Sequence, residues 1–402
     1  LRADETIGIV VPGANRFSMA QESRVDADRS LAVTVGTGGD DVDTPSGAIA
    51  MAQGAALSSG GDIDLAAGER VELATVQTQA SPDQAPENPD ALDIQITSQG
   101  PIVGAGADQA PHVVADQPNS GARLNARRAI QGAGDDTAPL VTKTNRLDVR
   151  SAGSSVTLKT RGPTDAFGIE AHDGVALNAR DQLDADAVTS TEASVGIRGV
   201  GPVRIADLKA EDHVTADVDN TIGAARVRSH SSAVSVTSEA GDVLLGRVES
   251  AGAQDYDAQN GSIGGVPGDR GPYASVDGLP DAHWDDWDGR HLSGYGLARA
   301  RTLAADDGSV DLTAADTITV RQVRAGGDLA VSAGGDIAIG EAGSARAVTL
   351  RSATGDVLAE RVLSGFDVGV SADPPWQADA LDVRTFFRQM RDPAAGIDID
   401  AG

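Results

Sequence analysis

The chain has 402 residues and a net charge of −28, with 60 acidic side chains against 32 basic ones. An acidic surface repels phosphate backbones, which excludes nucleic acid as a partner, and no apolar run is long enough for insertion into a membrane. The chain has no cysteine, so disulfides and thiolate metal sites are excluded, and only 3% of its residues are aromatic. A thin core of Val, Ile, Leu and Ala requires an architecture other than an ordinary globular domain.

Residues 1–265 contain short apolar-x-apolar pairs that recur with glycine, aspartate, asparagine and serine between them. One template consists of two such pairs followed by a single apolar residue. It fits Ile63/Leu65, Val71/Leu73 and Val76, and again Val175/Leu177, Leu183/Ala185 and Val188. Further matches begin at Val195, Val214 and Val234. The repeat unit is therefore about 19–20 residues long. A proline-rich stretch, 81–118, is predicted to form loops between the units.

The clearest repeats lie in a second shaft segment, residues 303–370. Val310/Leu312, Ile318/Val320 and Val323 are followed one unit later by Leu329/Val331, Ile337/Ile339 and Ala342. Each pair reads as a short strand with alternate side chains directed inward, which gives three strands per unit. Strands at a fixed period can stack on their counterparts one unit earlier, and this is typical of a parallel β-helix. A β-sandwich has short strands but no fixed period, and the Leu and Asn scaffold of a leucine-rich repeat is missing.

The units "GGDIDLAAGERVEL", "AGDVLLGRV", "GGDLAVSAGGDIAI" and "TGDVLAERV", with the phrase "NGSIGG", resemble the shaft of filamentous haemagglutinin-type exoproteins. The resemblance covers most of residues 20–365. It implies a right-handed parallel β-helix that is exported through an outer-membrane transporter by two-partner secretion. It also implies an extracellular or bacterial cell-surface location and a role as an adhesin.

Residues 266–302 interrupt the repeat and contain four of the eleven aromatic residues of the chain. Trp faces can stack on sugar rings and aspartates can accept hydrogen bonds from hydroxyls, so a ligand-binding loop is one interpretation; a loop packed against the shaft is the favoured alternative. The candidate ligand-binding residues are Tyr273, Trp284, Asp285, Trp287 and Tyr295. Within "DDWDG", Asp286 and Asp288 are weak calcium candidates, because a full calcium loop would place another acid at Trp284. No other metal or cofactor is expected.

Residues 371–396 predict a short helix between Pro374-Pro375 and Pro393, which would pack on the flank of the shaft or cap its end. Residues 397–402 resume the strand pattern. The aspartates beside turn glycines are expected to bond backbone N–H groups rather than ions. These aspartates are Asp62, Asp242, Asp328, Asp336 and Asp356.

The function expected from these features is non-catalytic attachment or surface structure, with a glycan or a cell-surface receptor as the partner. One alternative is a polysaccharide lyase or glycoside hydrolase built on a β-helix. That enzyme would need Asp, Arg and Lys projecting from consecutive coils at one template position, and the arginines look scattered in the sequence. Another alternative is the subunit of an extracellular filament, sheath or matrix that binds like chains.

Overall fold

The computed structural model describes residues 1–3, 5–12, 15–36, 47–78, 93–105, 111–115, 120–133, 139–265, 300–365 and 397–401. These residues form parallel strands and turns without any helix. The chain divides into two units, Leu1–Gly201 and Pro202–Gly402. Each unit is a right-handed parallel β-helix built on two sheets, called sheet A and sheet B below. In the early coils of unit 1 each coil adds one strand to sheet B and two to sheet A, whereas from strand β17 (Arg146–Ser151) onward most coils add one strand to each sheet.

Unit 1 contains 22 strands among its described residues. Those of sheet A are β1 (Arg2–Ala3), β3 (Arg16–Met19), β4 (Arg24–Ala27), β6 (Ala48–Met51), β7 (Ala56–Ser59), β9 (Val71–Leu73), β10 (Thr75–Thr78), β12 (Ile102–Gly104), β13 (Val113–Ala115), β15 (Ile130–Gln131), β16 (Leu140–Thr144), β18 (Val156–Thr160), β20 (Val175–Ala179) and β22 (Val195–Gly199). Those of sheet B are β2 (Thr6–Val11), β5 (Ser30–Val35), β8 (Ile63–Ala67), β11 (Ile94–Ser98), β14 (Gly121–Ala126), β17 (Arg146–Ser151), β19 (Thr164–Ala171) and β21 (Leu183–Ser190).

Unit 2 contains 15 strands among its described residues. Those of sheet A are β24 (Val214–Val218), β26 (Val234–Ser238), β28 (Gln254–Ala258), β31 (Val310–Ala314), β33 (Leu329–Ala333), β35 (Val348–Ser352) and β37 (Ile397–Ala401). Those of sheet B are β23 (Val203–Ala210), β25 (Ile222–Ser229), β27 (Val243–Ser250), β29 (Ile263–Gly264), β30 (Ala300–Ala305), β32 (Ile318–Ala325), β34 (Ile337–Ser344) and β36 (Val357–Ser364).

The predicted register of unit 2 is confirmed residue by residue. Val310 pairs with Leu329, which pairs with Val348, and each step is one repeat of the sequence pattern. In sheet B, Ile318 pairs with Ile337, which pairs with Val357. Because identical template positions lie directly above one another, the inward side chains form continuous aliphatic columns, about 4.8 Å from one coil to the next.

The expectation of three strands per unit holds in the early coils of unit 1, where the template residues Ile63, Val71 and Val76 lie on the separate strands β8, β9 and β10, but it is wrong for the shorter coils that follow. Ile318, Val320 and Val323 all belong to one eight-residue strand, β32. Its first, third, sixth and eighth residues are buried, and the two residues between the third and the sixth are not. The strand therefore bends between its third and sixth residues instead of ending, because its backbone keeps pairing with the neighbouring coils on both sides of the bend.

The short period of the sequence repeat does not extend through the first half of unit 1. Ile63 pairs with Leu31 on one side and with Ile94 on the other, so each coil here is much longer than a coil of unit 2. The extra residues lie in the connections between strands, and several of those connections fall outside the described residues. The shorter coil begins where β19 pairs with β17, through a bulge at Phe167.

The buried apolar side chains are almost all Val, Ile, Leu and Ala, and complete removal of a Val, Ile or Leu side chain from water stabilises the fold by about 1.5–3 kcal/mol. Tyr256 is an exception, since it is fully buried in a column between Val236 and Leu312. Its hydroxyl donates to Gln254 Oε1 at 3.0 Å. The Gln254 amide in turn donates to the Ala304 carbonyl at 2.5 Å, so this polar group is satisfied within the core.

The Gly-Gly-Asp phrases form corners of the coil, as the sequence predicted. Asp328 Oδ1 accepts from the Ala347 N–H at 3.2 Å, and Asp336 Oδ1 accepts from the Asp356 N–H at 2.9 Å, each one coil further on. Gly334 has no room for a side chain, because a Cβ there would lie 1.9 Å from the Ala315 carbonyl oxygen. These aspartates therefore cap backbone groups of the next coil.

Candidate functional site

The sequence-predicted ligand residues lie outside the part of the chain that the structure describes. This holds for Tyr273, Trp284, Asp285, Trp287 and Tyr295, and for the calcium candidates Asp286 and Asp288. The predicted helix within 371–396 lies outside the described residues as well.

The strands on either side of the 266–302 interruption belong to one coil. Ile263 of β29 pairs with both Val243 and Ile318, while β30 pairs with β27 and β32 from Ala300 onward. The described strand thus begins at Ala300, within the last residues of the predicted interruption. The described strands β29 and β30 therefore lie against the two halves of β27, on either side of the bend.

A cluster of charged side chains occupies the outer side of sheet B in unit 2. In each eight-residue strand the fifth and seventh residues flank the buried sixth residue, and so lie on the side opposite the core. Gly343 and Leu363 occupy two of these positions, and we call the charged and amide-bearing residues at the others the charged face: Asp207, Lys209, Arg226, Arg228, Arg247, Glu249, Gln322, Arg324, Glu341 and Arg361.

Ion pairs link part of the charged face. Lys209 Nζ lies 2.5 Å from Asp207 Oδ2, and Asp207 is only 4% exposed. Arg228 donates to Glu249 Oε2 through Nε at 3.2 Å and through Nη2 at 3.0 Å, and Arg247 contacts the other oxygen of the same carboxylate. Glu249 therefore joins two arginines that lie one coil apart in sheet B.

Two groups of the charged face have shifted pKa values, because they are partly buried and lie close to other charges. The pKa of Glu249 is lowered overall: burial raises it, but the positive charges and hydrogen bonds of Arg247 and Arg228 lower it by more. Burial lowers the pKa of Arg324 to about 10; Glu341 raises that pKa, and the like charge of Arg247 lowers it further. Arg247 and Arg324 belong to β27 and β32, with β30 between them. The guanidinium of Arg324 is therefore both partly desolvated and repelled by a second guanidinium.

The charged face corrects the expectation that no Asp, Arg and Lys cluster projects from consecutive coils. In the sequence, its residues flank the third apolar residue of the template, as in Asp207-Leu208-Lys209 and Arg226-Val227-Arg228. Treating that apolar residue as a separate short strand hid its two neighbours. A bent eight-residue strand places both neighbours on one outer face, where the register aligns them between coils.

A second arginine cluster lines a corner groove in unit 1, which the sequence analysis missed. The groove has a volume of about 770 Å³ and is lined by residues that include Arg70, Arg127 and Arg128. These side chains come from turns between sheet B and sheet A in the two coils on either side of the coil that contains Ser98, and the Arg127 N–H donates to the Ser98 carbonyl. Their spacing in the sequence is irregular, because the coils of this region differ in length.

Among the described residues, no group of three or more His, Asp or Glu side chains is placed to hold a metal ion. The same residues include no helix with the length and apolar character that a membrane crossing requires. Comparison with known proteins finds no matching protein family, no matching curated protein and no matching solved structure.

Proposed function

We propose that this chain is a length of non-catalytic shaft from a secreted or cell-surface protein of the filamentous haemagglutinin type. Its role would be attachment or surface structure, with a glycan or a cell-surface receptor as the partner. It would reach the bacterial surface through an outer-membrane transporter.

The observation that carries the proposal is the in-register stacking of the Gly-Asp repeat in unit 2. β31, β33 and β35 align their inward residues, and the corner aspartates bond backbone groups of the next coil. Stability then comes from contacts between neighbouring coils, which need neither disulfides nor a large globular core. Such a scaffold leaves its outer faces free for recognition, as a displayed shaft requires.

Surface labelling of the producing cells tests the proposal. Antibodies raised against unit 2 should label intact cells or the culture medium, and brief protease treatment of intact cells should remove the cell-bound signal. Labelling that requires permeabilised cells would contradict the extracellular location. Loss of the signal when a neighbouring transporter gene is deleted would support the export route.

Glycan recognition by the 266–302 interruption stays a prediction. A glycan array probed with the whole chain and with the Trp284→Ala, Trp287→Ala double variant tests it directly. Loss of a specific glycan signal in the variant would support stacking of a sugar on these rings. Unchanged binding by the double variant would remove the sugar site from this segment.

The charged face favours one second candidate, a lyase or hydrolase that acts on an acidic polysaccharide. Lys209 beside the nearly buried Asp207, with Arg226 one coil away, places an ammonium group, a carboxylate and a guanidinium on one surface. Release of unsaturated uronates or of new reducing ends from polygalacturonate would favour the enzyme. Polymer that stays intact after prolonged incubation at several pH values would favour the shaft.

A further inference from the structure

The charged face has the opposite charge balance to the rest of the molecule. It carries six cationic side chains against three anionic ones, in a chain whose net charge is −28. The cationic members are Lys209, Arg226, Arg228, Arg247, Arg324 and Arg361. An anionic partner is repelled by most of the chain, so the local excess of positive charge makes this face the favourable place for it to bind.

The outer side of sheet A in unit 2 shows the contrast. Its outward positions carry Asp255, Asp257 and Asp311, and further aspartates on β24 and β37. The pKa of Asp255 is raised by burial and by the neighbouring carboxylates of Asp311 and Asp257. Two faces of the same coils therefore differ in sign, although both are built on the same aliphatic columns.

Among the described residues, the charged face has a buried cationic nitrogen without a hydrogen bond and a pair of arginines that repel each other. The Nε of Arg226 is buried and makes no hydrogen bond within the described part of the chain. Arg247 and Arg324 repel each other across the intervening strand β30. On that strand, Ala304 is the register partner of both Glu249 and Arg324. Alanine ends at Cβ, so this position adds no charge and little bulk between them. An anionic group near these guanidiniums would relieve their repulsion.

The spacing of the face suits a polymer of moderate charge density. Arg226 and Arg247 lie one coil apart, about 4.8 Å, and Arg324 lies on the second coil beyond Arg247, about 9.6 Å along the stack. Each guanidinium can form two parallel hydrogen bonds with a carboxylate or a sulfate. Glu249 and Glu341 lie among them and oppose a partner with one charge every ~1.7 Å, as in duplex DNA. A polysaccharide with separated anionic groups can place them beside the arginines and avoid these carboxylates.

We propose that the charged face binds a linear acidic polysaccharide, with Arg226, Arg247 and Arg324 pairing with its carboxylate or sulfate groups. The binding site depends only on the coils of unit 2, so it does not rest on the secretion route or on the location proposed above. It is also independent of the 266–299 segment.

Affinity measurements on the whole chain at low salt test the proposal. The probes are polygalacturonate for carboxylates, dextran sulfate for sulfates, unmodified dextran as the neutral polymer and duplex DNA as the dense polyanion. We expect binding to one or both acidic polysaccharides, with the tighter of the two identifying the preferred group, and weaker binding to DNA and to dextran. The Kd should rise as salt is added.

Two triple variants with equal changes of charge locate the site. Replacing Arg226, Arg247 and Arg324 with Gln should raise the Kd by about tenfold or more, since each change removes a charge-assisted pair. Replacing Arg70, Arg127 and Arg128 of the corner groove with Gln should leave the Kd unchanged. A third variant, Arg226→Lys, Arg247→Lys, Arg324→Lys, keeps the charge and loses the paired hydrogen bonds, so its Kd should fall between those of the wild type and the first variant. Circular dichroism and urea unfolding verify that all three variants fold.

Failure to bind either acidic polysaccharide at low salt would overturn the proposal. An equal loss in the two Gln variants would also overturn it, because binding would then follow total charge. Binding to DNA as tight as to both polysaccharides would contradict the argument from charge density. None of these results bears on surface labelling, so the shaft proposal is tested separately.

Discussion

Leu329→Asp probes the aliphatic column of unit 2 at its centre. Leu329 heads β33, is 1% exposed and pairs with Val310 on one side and Val348 on the other. Loss of a buried leucine costs about 2–5 kcal/mol, and an uncompensated buried charge adds several more unless the carboxyl takes up a proton. We therefore expect at least about 4 kcal/mol of destabilisation at pH 7, and less in acid.

The matched control makes the same chemical change on the outside of the same unit. Leu358 lies on β36 and is 64% exposed, so Leu358→Asp should change stability by about 0.5 kcal/mol or less. Leu329→Ala separates the cavity from the charge and should cost about 2–5 kcal/mol.

Hydrogen exchange measured by mass spectrometry is the suitable assay, because a stack of coils unfolds locally. Leu329→Asp should accelerate exchange most in β31, β33 and β35, and urea unfolding should shift to lower concentration. Equal effects of Leu329→Asp and Leu358→Asp would refute the assignment of inward and outward positions. Faster exchange confined to distant strands would refute the nearest-neighbour stacking.

Three further substitutions test separate features. Tyr256→Phe removes the hydroxyl that donates to Gln254 at 3.0 Å inside the core, so urea unfolding should show a loss of about 1–2 kcal/mol, and an unchanged midpoint would contradict the buried network. Gly100→Ala would place a Cβ 1.3 Å from the Glu69 carbonyl oxygen and should lower the free energy of unfolding by about 1–3 kcal/mol or more. Gly8→Ala is the control and should be neutral, because a Cβ at Gly8 would have nothing within 4 Å. Similar melting temperatures for the two variants would argue against the tight corner at Gly100. The pKa of Asp255 in the folded chain is raised, first by burial and then by the carboxylates of Asp311 and Asp257. Its ionised form therefore opposes folding at pH values above that pKa. The destabilisation fades as the pH falls toward the pKa of an aspartate in the unfolded chain, about 3.9. Asp255→Asn should accordingly stabilise the chain at pH 7 and not near pH 3. Asp217→Asn serves as the control, because the register partner of Asp217 is the uncharged Thr237. A gain in stability from Asp255→Asn that persists unchanged at pH 3 would contradict the raised pKa of Asp255.

The repeat pattern predicted the strands and the register of unit 2 well, because burial and stacking act on the same residues. Val310, Ile318 and Val323 are all fully buried, and each pairs with the residue at the same template position one repeat later. The pattern did not predict the coil length near Ile63, because the connections there vary while the strands keep their register.

The charged face was missed for a geometric reason. Arg226 and Arg247 are well separated in the sequence and look scattered along the chain, although sheet B aligns them as register partners. Their shared position becomes apparent only when the second and third strands of the template are recognised as one bent strand. The corner groove depends on turns of unequal length, so no fixed spacing in the sequence marks Arg70, Arg127 and Arg128 as neighbours.

Paired cysteines test the stacking of coils most directly, because the natural chain contains none. Thr215 and Ser235 are register partners on β24 and β26, and Asp255 follows one coil further on. Cα atoms about 4.8 Å apart permit a disulfide, whereas a separation of two coils, about 9.6 Å, does not. Under mild oxidation, the Thr215→Cys, Ser235→Cys pair should crosslink within each chain and the Thr215→Cys, Asp255→Cys pair should not. Crosslinking of the second pair in preference to the first, or of neither pair, would contradict the coil-by-coil register on which the charged face depends.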